Sequence, residues 1–228
     1  MSLKTLNNFK TKDIEEENVI IGSGAGGSTT AIELLKKNKK SLILEEGPSP
    51  NNVDQDNIGK SIVQLYKNNG ATPIYSFNGG PLIGYGQGSC VGGSTYVNAG
   101  YFSNTPKWIF DKWINLKKTN MSYNYFQNLV NEIRDEIDVS TEDVTSKDND
   151  SQFLYERAKK LNWSVEKCER FSNGKPPEAK QSMNVSYHKK LHESGVDIIH
   201  DCKVTKINSN NGEAKSLIVK NKINNQEY

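Results

Sequence analysis

Apolar residues in this chain come in short bursts divided by glycine and charge. Val19-Ile20-Ile21 is too short a run for a helix and ends at once on Gly22, which predicts a buried strand. Past the glycines, Ala31, Leu34 and Leu35 share one helical face, and Lys36, Lys37 and Lys39 suit that helix's C-terminal end. Leu42-Ile43-Leu44 is a second buried run, closed by Glu45. Strand, turn, helix and strand in that order predict an α/β fold with a parallel sheet.

Beyond Pro48 and Pro50 the pattern loosens. Residues 48–54 read as loop, and Ile58 to Tyr66 predicts a short helix with Ile62, Leu65 and Tyr66 apolar. Gly79 to Gly100 holds too many glycines for a regular helix or a central strand. It reads either as a solvated linker or as a compact loop lying against something flat or anionic. Cys90, Val91, Tyr96 and Val97 favour the loop, with a helical turn starting at Ser94.

Thr105-Pro106 predicts a helix start, with Trp108, Ile109 and Trp113 as buried candidates. Ser122 to Asp138 predicts a helix capped by Ser122, with Phe126, Val130, Ile133 and Ile137 at helical spacing. An acidic loop over 139–150 precedes a third helix from Ser151 to Leu161, carrying Phe153, Leu154 and Ala158. Residues 168–179 are loop, and Gln181 to Ser194 predicts a helix ended by Gly195. Strands are expected at 196–200, 203–207 and from Lys215 to Val219, with a turn at 208–212.

Composition narrows the class. With 228 residues the chain is long enough for a sizeable core, and 29 basic against 27 acidic residues leave a net charge of +2. Those charges are scattered, so no basic stripe suggests a nucleic-acid partner. No apolar run reaches membrane-span length, and residues 1–17 form a charged leader without the apolar centre of a signal peptide. The three cysteines, Cys90, Cys168 and Cys202, are odd in number and far apart, so free thiols in the cytoplasm are expected.

The chemistry concentrates in the glycines. Gly22-Ser23-Gly24-Ala25-Gly26-Gly27 fits G-x-G-x-x-G, with Gly22 for the tight turn, Gly24 for bare backbone beside a pyrophosphate and Gly27 for close helix–strand packing. Glu45, at the end of the second strand, stands where a carboxylate would accept hydrogen bonds from an adenosine ribose. A dinucleotide site is therefore predicted. His188 and His192 share a helix face but have no third ligand nearby, so a solvated face is expected rather than a metal site. His200 reads as packed, and Trp108 and Trp113 as core. Neither G-x-S-x-G nor G-x-x-x-x-G-K-[ST] occurs.

Taken together, the two glycine-rich regions resemble the glucose–methanol–choline (GMC) family of FAD-dependent oxidoreductases. The first, ending in Glu45-Glu46-Gly47-Pro48, is similar to the family's FAD-binding βαβ unit. The second resembles its N-terminal signature in Gly88-Ser89-Cys90-Val91-Gly92-Gly93-Ser94-Thr95-Tyr96-Val97-Asn98, continued to Pro106. Gly174 to Ser182 is a looser match, and the whole resemblance runs over about residues 17 to 219. It implies a Rossmann-like FAD/NAD(P)-binding domain over 18–228, with the start of a substrate-side region at about 105–170. It further implies that Gly22, Ser23, Gly24, Ala25, Gly26 and Gly27 cradle the pyrophosphate and that Glu45 binds the ribose. Val204 would meet the adenine through its main chain, and Gly92, Gly93, Ser94, Asn98 and Ala99 would lie along the flavin.

The implied reaction is oxidation of the CH–OH group of an alcohol, sugar or sugar acid, with hydride passing to flavin N5. Several departures qualify it. Ser89 replaces a basic or amide residue, which weakens a contact near the cofactor, and Lys175 stands where a GCP-type cysteine is usual. Asn98 occupies a place that carries a His-linked flavin in some relatives, so FAD should be non-covalent. Family members are more than twice as long, and their catalytic His lies in a C-terminal section with no counterpart here. The chain resembles the family's N-terminal part, catalytic in full-length form or with a C-terminal half on a separate chain. The alternatives are a non-catalytic dinucleotide-binding protein and a truncated fragment without activity. An NAD-dependent reductase gives the second glycine block no role.

Overall fold

Three aliphatic residues followed at once by glycine have no length for a helical turn, and both such runs form strands. The computed structural model describes residues 3–9, 13–54, 56–70, 72–117, 119–141, 149–166, 168–172 and 180–228. In chain order the elements are β1 (Val19–Ile21), α1 (Ala25–Lys36), β2 (Leu42–Leu44), α2 (Ile58–Leu65), β3 (Thr72–Ile74), β4 (Ile83–Tyr85), α3 (Ser94–Val97) and β5 (Tyr101–Phe102). They continue as α4 (Lys107–Lys117), α5 (Tyr123–Glu136), β6 (Val139–Ser140), α6 (Asn149–Lys160), β7 (Glu169–Phe171), α7 (Tyr187–Glu193), β8 (Asp197–Ile199), β9 (Cys202–Asn210) and β10 (Glu213–Asn221). The chain divides into two compact units, residues 1–98 with 183–228, and residues 99–182.

The first unit is built on a parallel sheet of order β1-β2-β8, so the expected α/β class holds. Ile43 of the central strand stands in register with Ile20 on one side and Ile198 on the other. All three β2 residues are buried, as a strand covered on both faces requires. Helix α1 follows β1 and returns the chain to β2, and α7 packs against it. The hairpin β9–β10 turns at Asn211-Gly212, both in the left-handed region, which suits a two-residue connection.

Residues 3–9 of the expected leader belong to this unit. Lys4 N–H donates to the Ile198 carbonyl (3.2 Å) and His200 N–H to the Lys4 carbonyl (2.9 Å), extending the sheet beyond β8. Leu6, the apolar residue beside that bridge, packs with Leu42, Leu44, Ile199 and Cys202. The helix expected from Gln181 begins only at Tyr187. Met183 N–H is taken by the Thr95 hydroxyl (3.1 Å) instead of a helical carbonyl, which holds the preceding residues in a turn.

In the second unit, β7 lies between β5 and β6, antiparallel to both. Ser122 caps α5 by accepting the Tyr125 N–H, as its side chain predicts. Helix α4 meets α5 through Phe110, whose ring lies 5.3 Å from Tyr123 and 5.1 Å from Phe126. Trp108 and Trp113, expected in the core, are exposed. Phe110 takes the inward face, and two residues along a helix turn Trp108 far round from it. Arg134 holds Glu169 by two bonds (2.5 and 2.9 Å), which keeps that carboxyl below its usual range. Of the acidic loop expected over 139–150, Val139 and Ser140 pair with β7 as β6, and Asn149 and Asp150 open α6. Of the loop expected over 168–179, Glu169–Phe171 form β7. Residues 142–148 and 173–179, with Lys175, lie outside the described residues.

Ile43 is fully buried, so Ile43→Ala should cost about 2–5 kcal/mol in urea unfolding. Ile58→Ala, on the exposed face of α2, should stay within about 0.5 kcal/mol. Equal effects would contradict this assignment of core and surface.

Candidate functional site

At the end of β1, Gly22 takes φ +94° while its N–H bonds to the Leu44 carbonyl at 2.8 Å, so the ladder ends in a sharp turn. Gly24 then caps α1. A Cβ on Gly27 would overlap the Gly22 carbonyl oxygen, whereas one on Gly26 would meet nothing within 4 Å. The close packing expected of the third glycine is therefore observed.

Ser23 lies beneath this turn, fully buried. Its N–H and hydroxyl both donate to Glu45 Oε2 (2.9 and 2.7 Å), and its Oγ accepts the Gly92 N–H (3.1 Å). Glu45 Oε1 accepts the Gly47 N–H at 2.9 Å. The carboxylate at the end of β2 is thus tied to both glycine blocks. With two lone pairs per oxygen, Oε1 keeps room for a further donor.

From Gly88 the second block is a packed loop and not a linker, whereas Gly79 to Gln87 is exposed and its Ile83–Tyr85 pairs with β3 as β4. Cys90 and Val91 are fully buried, Val91 N–H bonds to the Pro48 carbonyl (3.0 Å), and Gly88 N–H to Ser94 Oγ (3.0 Å). A helical turn starts at Ser94, as expected. Its cap Gly93 abuts Gly24: a Cβ on Gly93 would come within 2.9 Å of the Gly24 Cα. The two blocks therefore meet backbone to backbone.

Their junction forms one wall of a cleft of about 480 Å³, within the usual range for small-ligand sites. Of the residues singled out in the sequence, Gly22, Gly24, Ala25, Glu45, Gly93, Ser94 and Val204 line it. Ser23 and Gly92 stand behind its wall in the buried network, Gly27 packs on β1, and Gly26 lies in the first turn of α1. Asn98 ends α3, with its N–H on the Ser94 carbonyl (3.0 Å). Ala99 opens the second unit, where its carbonyl accepts from Arg170.

The cleft also takes in Glu46, Lys67, Gln87, Thr95, Cys202 and Lys203, which sequence reasoning did not single out. Lys67 pairs with Glu46 at 3.2 Å near the surface. Glu46 and Thr95 fall within the quoted motifs but were given no role, and Lys67, Gln87, Cys202 and Lys203 have no periodic signal. Burial pushes the Cys202 thiol up to about 11, which keeps it protonated and poorly nucleophilic.

A model of the GMC oxidoreductase family matches residues 16–227. The chain belongs to this family. The N-terminal GMC domain binds FAD. Among curated GMC relatives, an uncharacterised GMC-type oxidoreductase of Sinorhizobium fredii is 32% identical over 46% of this chain and 20% of its own length. A long-chain-alcohol oxidase of Arabidopsis thaliana is 33% identical over 42% of this chain and 12% of its own. Among solved structures, pyridoxine 4-oxidase from Mesorbium loti (TM-score 0.69, 15% identity) matches 93% of this chain and 47% of its own. A formate oxidase (TM-score 0.70, 16% identity) matches 95% and 44%. The chain thus spans less than half the length of these structures, and its matched segments cover a fifth or less of the curated relatives.

One expectation is overturned. His188 is not on a solvated face: it is fully buried, with Nε2 2.8 Å from Ser28 Oγ and 3.0 Å from the Ser23 carbonyl. Burial drops its pKa to about 4, leaving the ring neutral near pH 7. His200 is packed as expected, with Nδ1 2.7 Å from Asp201. Among the described residues no cluster of three or more His, Cys, Asp or Glu could hold a metal, and no helix is long and apolar enough to cross a membrane.

The glycine geometry separates two neighbouring substitutions. Gly27→Ala should lower stability by about 1–3 kcal/mol through overlap with Gly22. Gly26→Ala, in the open first turn of α1, should be neutral or stabilising by up to about 1 kcal/mol. Thermal unfolding of both checks this, and the reverse order would refute the packing.

Proposed function

We propose that this chain is the FAD-binding part of an oxidoreductase that oxidises the CH–OH group of an alcohol, sugar or sugar acid. The observation that carries the reading is the abutment of Gly24 and Gly93 beside the Glu45 carboxylate in one cleft. Bare backbone at both glycines lets a pyrophosphate approach, and the first-turn N–H groups of α1 lack helical acceptors and suit an anion. Glu45 Oε1 has acceptor capacity for a ribose hydroxyl, and Val204 on β9 offers backbone and an apolar side chain to an adenine. Ser94, with Gly92, Asn98 and Ala99 around it, would follow the cofactor toward its flavin end. Lys203 adds positive charge in the cleft, where Lys67 is paired with Glu46.

Bound FAD would supply the hydride acceptor. Asn98 has no nucleophile for a covalent link, so the flavin would be held non-covalently. The chain's own task is then to bind and orient, and the base that takes the substrate hydroxyl proton would come from elsewhere. Residues 99–182 would begin the substrate-side region.

The edge of β1 supports a missing partner segment. Among the described residues β1 pairs with β2 alone, and Val19 and Ile21 are exposed. A strand from the rest of a longer protein, or from a separate C-terminal chain, would cover that edge. A cytoplasmic setting, where thiols stay reduced, would suit the unpaired Cys168 and Cys202 of this chain. Small-molecule substrate is the expected partner class, with no role for nucleic acid.

The visible spectrum of the purified 228-residue chain, after incubation with FAD and removal of excess, tests the reading. A retained yellow flavin is expected, released to the supernatant by acid precipitation and not bleached by alcohols under anaerobic conditions. A colourless protein would overturn the claim that this chain forms the FAD site.

A further inference from the structure

The buried histidine beneath the glycine turn has no part in the reading above. It lies on α7, and its ring reaches Ser23 and Ser28 across the base of α1. The Ser23 carbonyl can only accept, so Nε2 carries the proton and donates to it, while the Ser28 hydroxyl donates to that same carbonyl at 2.8 Å. The ring is then neutral, and Nδ1 holds a lone pair that is buried without a hydrogen-bond partner. An apolar residue of similar size would avoid that unpaired acceptor and leave the Ser23 carbonyl still bonded to Ser28. The position therefore bears a cost that packing does not explain.

What the bond does follows from peptide geometry. The Ser23 carbonyl and the Gly24 N–H belong to one planar trans unit and point in opposite directions. Drawing the carbonyl down toward α7 turns the Gly24 N–H the other way, and Gly24 lines the cleft. We propose that His188 is a positioning residue for the cleft: its Nε2–H bond fixes the Ser23–Gly24 peptide and so aims the Gly24 N–H at the phosphates of a bound dinucleotide. This rests on the FAD reading given above. It assigns a role in cofactor affinity to a residue that touches no cofactor.

The test compares the unaltered chain with His188→Leu, which removes the donor, and His188→Gln, whose amide N–H can stand in for Nε2–H. FAD and ADP affinities are titrated alongside thermal unfolding. His188→Leu should bind both ligands about fivefold more weakly, the worth of one hydrogen bond, with an unchanged or higher Tm. His188→Gln should stay within about twofold. Equal affinity in all three, or losses that track falling Tm in both variants, would overturn the proposal. A nitrogen-15 spectrum of the unaltered chain gives a second reading independent of any variant's folding. It should show a neutral Nε2–H tautomer, and an Nδ1–H tautomer would sink the idea. If the unaltered chain binds neither FAD nor ADP, the FAD reading fails and this inference with it. If it binds them and the variants do not separate, this inference alone fails.

Discussion

The buried hydroxyl of Ser23 is the joint on which the cleft depends. It donates to Glu45 and accepts from Gly92, while the same residue's N–H and carbonyl reach Glu45, Ser28 and His188. One small residue thus ties together the β1–α1 turn, the end of β2, the second glycine block and α7. In a buried setting each of these bonds is worth more when its neighbours are present, and each partner left alone would be costly. The glycines allow backbones to approach, but this network decides which backbones meet. It acts together with the Val91–Pro48 backbone bond, which also holds the second block against the end of β2.

The same arrangement explains how the cleft forms although, among the described residues, its parallel sheet has only the strands β1, β2 and β8. The bonds that shape the dinucleotide cleft lie within β1, β2, α1, α7, the second glycine block and the start of β9, all inside one unit. The outer edge of β1, by contrast, presents Val19 and Ile21 to solvent. Cofactor-side geometry and sheet completion are therefore separable demands. The structure meets the first, and among the described residues the outer side of β1 has no strand partner.

Much of this was legible in the sequence because it was local. The β-α-β unit follows from two apolar triplets and the spacing of three glycines, and the Asn211-Gly212 turn and the Ser122 cap are set by the residues themselves. Composition suggested a compact second loop lying against something flat or anionic, but not that Gly93 meets Gly24: the Ser23–Gly92 bond beside that contact spans 69 residues and has no periodic signature. His188 looked like one of a solvated pair because nothing local shows that Ser23 and Ser28 wait beneath the helix. Trp108 and Trp113 were expected inside, yet it is Phe110 whose ring packs on Tyr123 and Phe126 of α5. The start of α7 was misplaced for a similar reason: Thr95, far away in sequence, takes the N–H that would have continued the helix.

The central claim is that two distant glycine blocks form the wall of one nucleotide cleft in this chain. Backbone amide spectra recorded while FAD is titrated in test it most directly. The account predicts that Gly24, Ala25, Gly93 and Ser94 shift together, with one dissociation constant and the largest changes in the molecule. Shifts confined to the first block, or separate affinities for the two, would contradict it.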